Sequence, residues 1–328
     1  MRNIFRIIVL FLILTSCVFA QDKKIAYCSN DTESEYIQIF IMNEDGSDKK
    51  QLTDISENCM HPKWSPDGKQ LVFYTDRGYM YLIRDVNSTG PANLFYLYNG
   101  MYPSFMPSGD QIVYNTEIDQ ILSIMVIDTA QYGAEPQMLS DGGYSNMQVI
   151  SADGNEIYYS TFDGGTKVVK VMDLEDTTDN YVKQISKNDE ANLEPDVSND
   201  GTMVAYASFN SNLHGTVRIF ENGTETPLTK GMASSNVPRF SPDGSKIAFV
   251  VIDNNDVSLY VMDNDGSGKK NLNVRGGSIG TFQWINNDEI VYDAGSESRT
   301  SVGIVNISNG GNNILAEGGF NLQPAVQK

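Results

Sequence analysis

The side chains able to do chemistry in this 328-residue sequence are few: two histidines (His61 and His214), three cysteines (Cys17, Cys28 and Cys59) and one serine in a G-x-S-x-G run, Gly276-Gly277-Ser278-Ile279-Gly280. A hydrolase elbow of that pattern needs a strand before it, a helix after it and a histidine downstream. No histidine follows His214, so the run reads as a glycine-rich turn. A metal centre needs three or four converging nitrogen, sulfur or oxygen ligands. His61 and His214, even joined by Glu194 or Asp163, make at most a partial site. Asp263 to Gly268 lacks the alternating acids and the final acidic ligand of a calcium loop. It reads as a turn, as does the matching stretch from Asn43 to Ser47. No catalytic residue, metal ligand or cofactor is assigned on these grounds.

The elements that hold these residues are easier to read. Trp64-Ser65-Pro66-Asp67-Gly68 leads into Leu71-Val72-Phe73-Tyr74. Proline presets φ at the first corner, aspartate bonds its own backbone, and glycine takes the positive-φ position. The β-branched and aromatic run that follows suits a buried strand. The grammar returns at Phe240 to Gly244, with weaker copies from Phe105, Ile150, Val197 and Trp284. These anchors stand at 64, 105, 150, 197, 240 and 284, giving gaps of 41, 45, 47, 43 and 44 residues. Such a period, with four strands per unit, marks β-propeller blades. The fourth strands are expected at Gln137 to Leu139, Lys183 to Ile185 and Asn271 to Val274, among others. Trp64, Phe105, Phe240 and Trp284 are expected to pack between blades.

The two ends supply the count. Lys24 to Cys28, Tyr36 to Met42 and Lys50 to Thr53 match the second, third and fourth strands of a blade with no innermost strand. Gln323-Pro324-Ala325-Val326 repeats the start of a blade and stops, with Val326 standing 42 residues after Trp284. The C-terminal segment is therefore expected to pair with the N-terminal strands and close a seven-bladed ring, six or eight being the alternatives. Closure removes a free sheet edge. On this reading residues 21–328 form a single all-β propeller domain. Cys28 would end a second strand and Cys59 would lie in the loop joining the next blade, on the same face, so the two are candidates for a disulfide.

Residues 1–20 read as a signal peptide: Arg2 and Arg6, an apolar core from Ile7 to Leu14 too short to span a bilayer, and Val18-Phe19-Ala20 before the cleavage point. A rival reading makes Leu14-Thr15-Ser16-Cys17 a lipobox, anchoring the protein through Cys17. Export to the periplasm or beyond follows from either. The whole chain carries 23 Lys plus Arg against 42 Asp plus Glu, a net charge of −19. Loss of the leader's two arginines makes it −21. A phosphate-tracking nucleic-acid binder needs a basic face, so that class is excluded. No transmembrane span remains after leader removal, and a monomer is expected.

Ile25-Ala26-Tyr27-Cys28-Ser29, Ile39 to Ser47, Gln51-Leu52-Thr53 and Pro62 to Gly68, together with Leu259 to Ser267, resemble the repeat of TolB-type propellers over roughly residues 22–328. That repeat occurs in periplasmic scaffolds, in the propellers of serine peptidases and in some polysaccharide lyases. TolB itself resembles a six-bladed ring preceded by an α/β domain. The resemblance here implies a relative of the repeat rather than TolB proper, and binding to Tol–Pal partners does not carry over.

Variable loops on a rigid scaffold are where function concentrates. The residues expected to rim one mouth of the ring are His61, Asp76, Arg77, Tyr102, Glu117, Asp119, Tyr144, Asp163, Glu194, His214 and Phe320. The expectation is a non-enzymatic scaffold that binds a protein or glycan of the cell envelope at this face. The alternative is a polysaccharide lyase or hydrolase using a histidine–carboxylate site in the mouth.

Overall fold

The computed structural model describes residues 23–31, 34–88, 92–130, 133–140, 144–178, 181–187, 189–296 and 298–327. The signal-peptide and Cys17 readings lie outside these residues. The described chain forms seven four-stranded antiparallel sheets and, among the described residues, no helix. Blade 1 runs outward as Cys59–Trp64, Leu71–Thr75, Tyr79–Ile83 and Leu94–Asn99. Blades 2 to 6 begin with Met101–Phe105, Asn146–Ile150, Ala191–Val197, Ser234–Phe240 and Ser278–Trp284. Blade 7 is the closing one. Its innermost strand is Asn321–Val326, followed outward by Lys24–Ser29, Gln38–Asn43 and Lys50–Gln51.

The closure has the expected register, with Val326 opposite Ile25, Ala325 opposite Ala26 and Asn321 opposite Ser29. The Gln327 amide adds a bond to the Lys24 carbonyl at 2.9 Å. Trp64 ties the ring across this join, its indole N–H donating to the Ala325 carbonyl at 3.0 Å. Trp284 makes the same bond to Arg239 one repeat back.

The turns form as their residues dictate. Ser65 Oγ donates to Asp67 Oδ1 at 2.7 Å and accepts from the Gln70 amide at 2.9 Å, while Gly68 takes φ 68°. The Ser–Asp bond recurs at Ser151–Asp153, Ser198–Asp200 and Ser241–Asp243. In each the serine hydroxyl holds the aspartate below the usual carboxylate range. Asp263 to Gly268 and Asn43 to Ser47 are likewise turns, closed by the Gly266 and Gly46 amides on the Asp263 and Asn43 carbonyls.

The four anchor residues Trp64, Phe105, Phe240 and Trp284 are buried as expected. The deepest layer is a second set that the turn pattern did not single out. The largest fully buried side chains are Tyr27, Phe73, Tyr114, Tyr159, Tyr206, Phe249 and Tyr292. They occupy one equivalent place on the second strand of every blade. Burial of each contributes on the order of 1.5–3 kcal/mol, and the blades share the gain evenly. Two of the fourth strands are shorter than expected, Gln137–Met138 and Lys270–Asn271, and the third, Val182–Gln184, keeps its length but begins one residue earlier. Past Lys270–Asn271, Leu272 is buried and its amide still donates to the Leu259 carbonyl at 3.0 Å.

Candidate functional site

Innermost strands wall the central channel of a propeller, and here each breaks its ladder once. The register shifts fall at residues 61–62, 102–103, 147–148, 194–195, 237–238 and 280–281, and in blade 7 near Gln323. At six of the seven breaks the first residue is left-handed although it is not glycine: His61 (φ 49°), Tyr102 (52°), Met147 (56°), Glu194 (56°), Val237 (50°) and Gln323 (53°). Such bulges re-aim side chains. The ring thus carries seven equivalent positions, of which sequence reading had selected His61, Tyr102 and Glu194.

Several of these positions hold their neighbours. Glu194 Oε2 accepts from the Val237 amide at 2.8 Å, one blade on. Gln323 Oε1 accepts from the His61 amide at 2.8 Å, across the join. Gly280 has no side chain to offer, and the carboxylate of Asp293, from the adjoining strand, takes the space a Cβ would fill. Asp293 Oδ1 then accepts from the Gln323 amide at 2.9 Å, the Thr281 amide at 3.1 Å and the Thr281 hydroxyl. Burial pushes the Asp293 carboxyl up, against those bonds. Asp196, on the innermost strand of blade 4, is also pushed up by burial, to about 6, while its Oδ2 accepts from the Phe240 amide at 2.7 Å. Nothing in the sequence marks an acid inside a strand as buried, like Asp293, or half-buried, like Asp196.

His61 is held as a neutral imidazole: burial, then the charge of Lys63, lowers its pKa to about 4. It stacks on Tyr74 at 5.5 Å and meets the Tyr102 edge at 5.2 Å. Its Nε2 accepts from Gln323 Nε2 at 3.0 Å. His214 lies three blades away in the loop before Gly215–Glu221, its ring N–H donating to the Met232 carbonyl at 3.1 Å. The structure therefore does not bring the two histidines together. Among the described residues no three His, Cys, Asp or Glu side chains form a metal-ligating group. Ser278 opens the innermost strand of blade 6, paired with Gly295, with a strand rather than a helix beyond it.

Cys28 and Cys59, the candidate pair, are both buried and are not bridged in the structure. They share one core cluster, but Cys28 Sγ points to Gln323 Oε1 at 3.4 Å and Cys59 Sγ to Thr53 Oγ1 at 3.5 Å. Burial raises both thiols, Cys59 to about 12.

The other selected residues lie in loops or, for Glu117 and Asp163, at the ends of second strands. Asp76 accepts from Asn58 Nδ2 at 2.8 Å, and Arg77 meets Glu57 at 3.6 Å. Glu117 and Asp119 are exposed at a hairpin tip, where Asp119 and Gln120 both have positive φ. Lys170 pairs with Asp163 at 2.9 Å and lowers its pKa. The Phe320 amide donates to Asn30 Oδ1 at 2.7 Å. Tyr144 is exposed and stands edge-on to Phe162, with ring centres 6.4 Å apart.

Exposed apolar side chains were the larger omission. Among the described residues, eleven of the twelve large hydrophobic side chains left exposed fall between Tyr79 and Leu174, on blades 1 to 3; Leu213 is the exception. Tyr79, Tyr102, Ile118, Ile121, Tyr144, Met147 and Phe162 lie at or near the ends of strands where blades are joined and second strands turn into third. Scattered exposed apolar residues are ordinary, but a concentration of them marks an interaction surface.

The ring closure, the four-stranded blades and the walled channel define a seven-bladed β-propeller. Residues 18–184 match the family profile described as the TolB beta propeller domain, and the chain belongs to that family. Among solved structures, TolB from Acinetobacter baumannii is similar at 20% identity and TM-score 0.60, over 93% of this chain and 66% of that one. A putative TolB from Agrobacterium tumefaciens gives 18% and 0.57, over 81% and 93%. A puromycin-hydrolyzing peptidase of Mycobacterium tuberculosis gives 13% and 0.69, over 86% of this chain and 49% of the peptidase. The chain thus spans just under two-thirds of the first of these proteins and about half of the last. At these identities the likeness is one of fold.

Proposed function

We propose that this protein is an exported, non-enzymatic scaffold of the cell envelope. It would bind a protein or glycan partner at the loop-bearing face of blades 1 to 3 and be free in the periplasm, or held there through Cys17. One observation carries the reading: among the described residues, eleven of the twelve exposed large hydrophobic side chains stand on three adjacent blades. At the channel wall, by contrast, Gln323, Glu194 and Asp293 are engaged in joining blade to blade. Aromatic rings offer large contact area at low entropic cost and suit either partner class. Affinity capture from envelope extracts tests this, comparing the native protein with a Tyr144→Ala/Phe162→Ala variant. A partner retained by the first and lost by the second supports the reading; equal retention by both, or by neither, removes it.

A further inference from the structure

Beyond the loop-bearing face, the outer rims of the blades are unequal. A fourth strand has a free edge whose outward amides and carbonyls can template another strand, and proteins blunt such edges by shortness, charge, proline or cover. Three rims, Lys50–Gln51, Gln137–Met138 and Lys270–Asn271, are only two residues long. Val182–Gln184 is three residues long and carries Lys183. Thr224–Pro227 carries Glu225 and ends in proline. Asn312–Ala316 has the Gly46 turn of blade 7 seated against the backbone of Leu315. Leu94–Asn99 (Leu-Phe-Tyr-Leu-Tyr-Asn) is the longest at six residues and has neither charge nor proline. Its one irregularity is a bulge at Leu97, flanked by Tyr96 and Tyr98, which are 54% and 40% exposed.

We infer that the edge of Leu94–Asn99 accepts an extended peptide strand of a partner, with an uncharged centre and Lys or Arg on its flanks. This goes beyond the loop-face reading and does not depend on it. Main-chain pairing would supply affinity, and the two tyrosines a platform for alternate side chains. Charge selects the occupant. Exposed Asp85 lies just past Ile83, which faces Leu94, and exposed Asp76 just before Tyr79, which faces Asn99. The neighbouring cations are already engaged: Arg84 lies 4.7 Å over the Phe95 ring and donates to the Thr129 carbonyl, and Arg77 faces Glu57. A second copy would bring the same aspartates and another net charge of −19 to the join, so self-pairing is disfavoured.

The test uses the protein lacking residues 1–20, a fluorescent synthetic peptide of alternating valine and threonine with paired lysines at each end, and hydrogen exchange. Peptide binding should slow exchange of the 94–99 amides. It should weaken about tenfold or more in Tyr96→Lys and be unchanged in Tyr144→Ala. Protection elsewhere, equal binding by Tyr96→Lys, or no binding would overturn the inference. So would a dimer of the free protein, seen by sedimentation, in which the 94–99 amides are already protected.

Discussion

Asp293 is the sharpest place to test how the ring is held. It is 2% exposed and accepts the Gln323 amide, the Thr281 amide and the Thr281 hydroxyl. Asp293→Ala leaves those donors without an acceptor. The hydroxyl can rotate to another partner, but the two amides cannot. An orphaned buried donor costs about 1–3 kcal/mol, so the loss should be roughly 2–6 kcal/mol. That is a large part of the ~5–15 kcal/mol that separates folded from unfolded domains. For a domain of this size roughly 2 °C per kcal/mol is expected, so thermal unfolding followed by circular dichroism should fall by about 4–12 °C. Asp293→Asn keeps an acceptor at Oδ1 and should cost much less. A second substitution sharpens the test. With the carboxylate gone there is room at position 280, and Gly280→Glu in the Asp293→Ala background should recover part of the loss, as Glu194 serves the Val237 amide. If Ala were as stable as the parent, or Asn as damaged as Ala, the proposed role of this carboxylate would be wrong.

Asp196 gives a pH signature: its folded pKa near 6 lies above the unfolded value of about 3.9, so its favourable contribution is complete below that value and fades as pH rises through 6. Asp196→Asn should therefore gain on the parent between pH 4 and 8, by at most about 3 kcal/mol, with chemical denaturation at several pH values as the check. Deleting residues 323–327 removes the Gln323 and Trp64 bonds across the join and most of the inner strand of blade 7. The truncated protein should lose cooperative unfolding and show fast amide exchange across Lys24–Ser29; a sharp, parent-like transition would contradict ring closure as the organising contact. Alkylation of the unfolded protein without reductant should modify both Cys28 and Cys59, and an unmodified, bridged pair would show that the free-thiol arrangement is not the one adopted.

The ring was legible because two signals are local in sequence and specific in physics. Turns such as Ser65 to Gly68 demand particular residue types, and Val326 falls at the spacing of the anchors. The channel positions were legible only in part, at His61, Tyr102 and Glu194, for the opposite reason. His61, Tyr102, Met147, Glu194, Val237, Gly280 and Gln323 have no side-chain property in common. What they share is a backbone break imposed by packing seven sheets around an axis, which no propensity of the residue announces. Asp293 illustrates the same limit, because its meaning depends on a missing side chain thirteen positions earlier. The cysteines, expected on one face with Cys59 in a joining loop, share one core cluster with Cys59 opening a strand, and the direction of each sulfur is set by register and neighbours that spacing alone does not fix.

The shared seventh blade also sets a timetable. Lys24–Ser29 emerges early in synthesis, and its inner companion, Asn321–Val326, about 300 residues later. At about 5–20 residues per second the early strand waits roughly 15–60 s with its inner side open. Throughout that interval a run of buried-type residues, Ile25-Ala26-Tyr27-Cys28, is available to any passing strand. Newly made chains are thus most vulnerable at their oldest segment, and a holding factor that covers it would protect yield without touching the finished molecule.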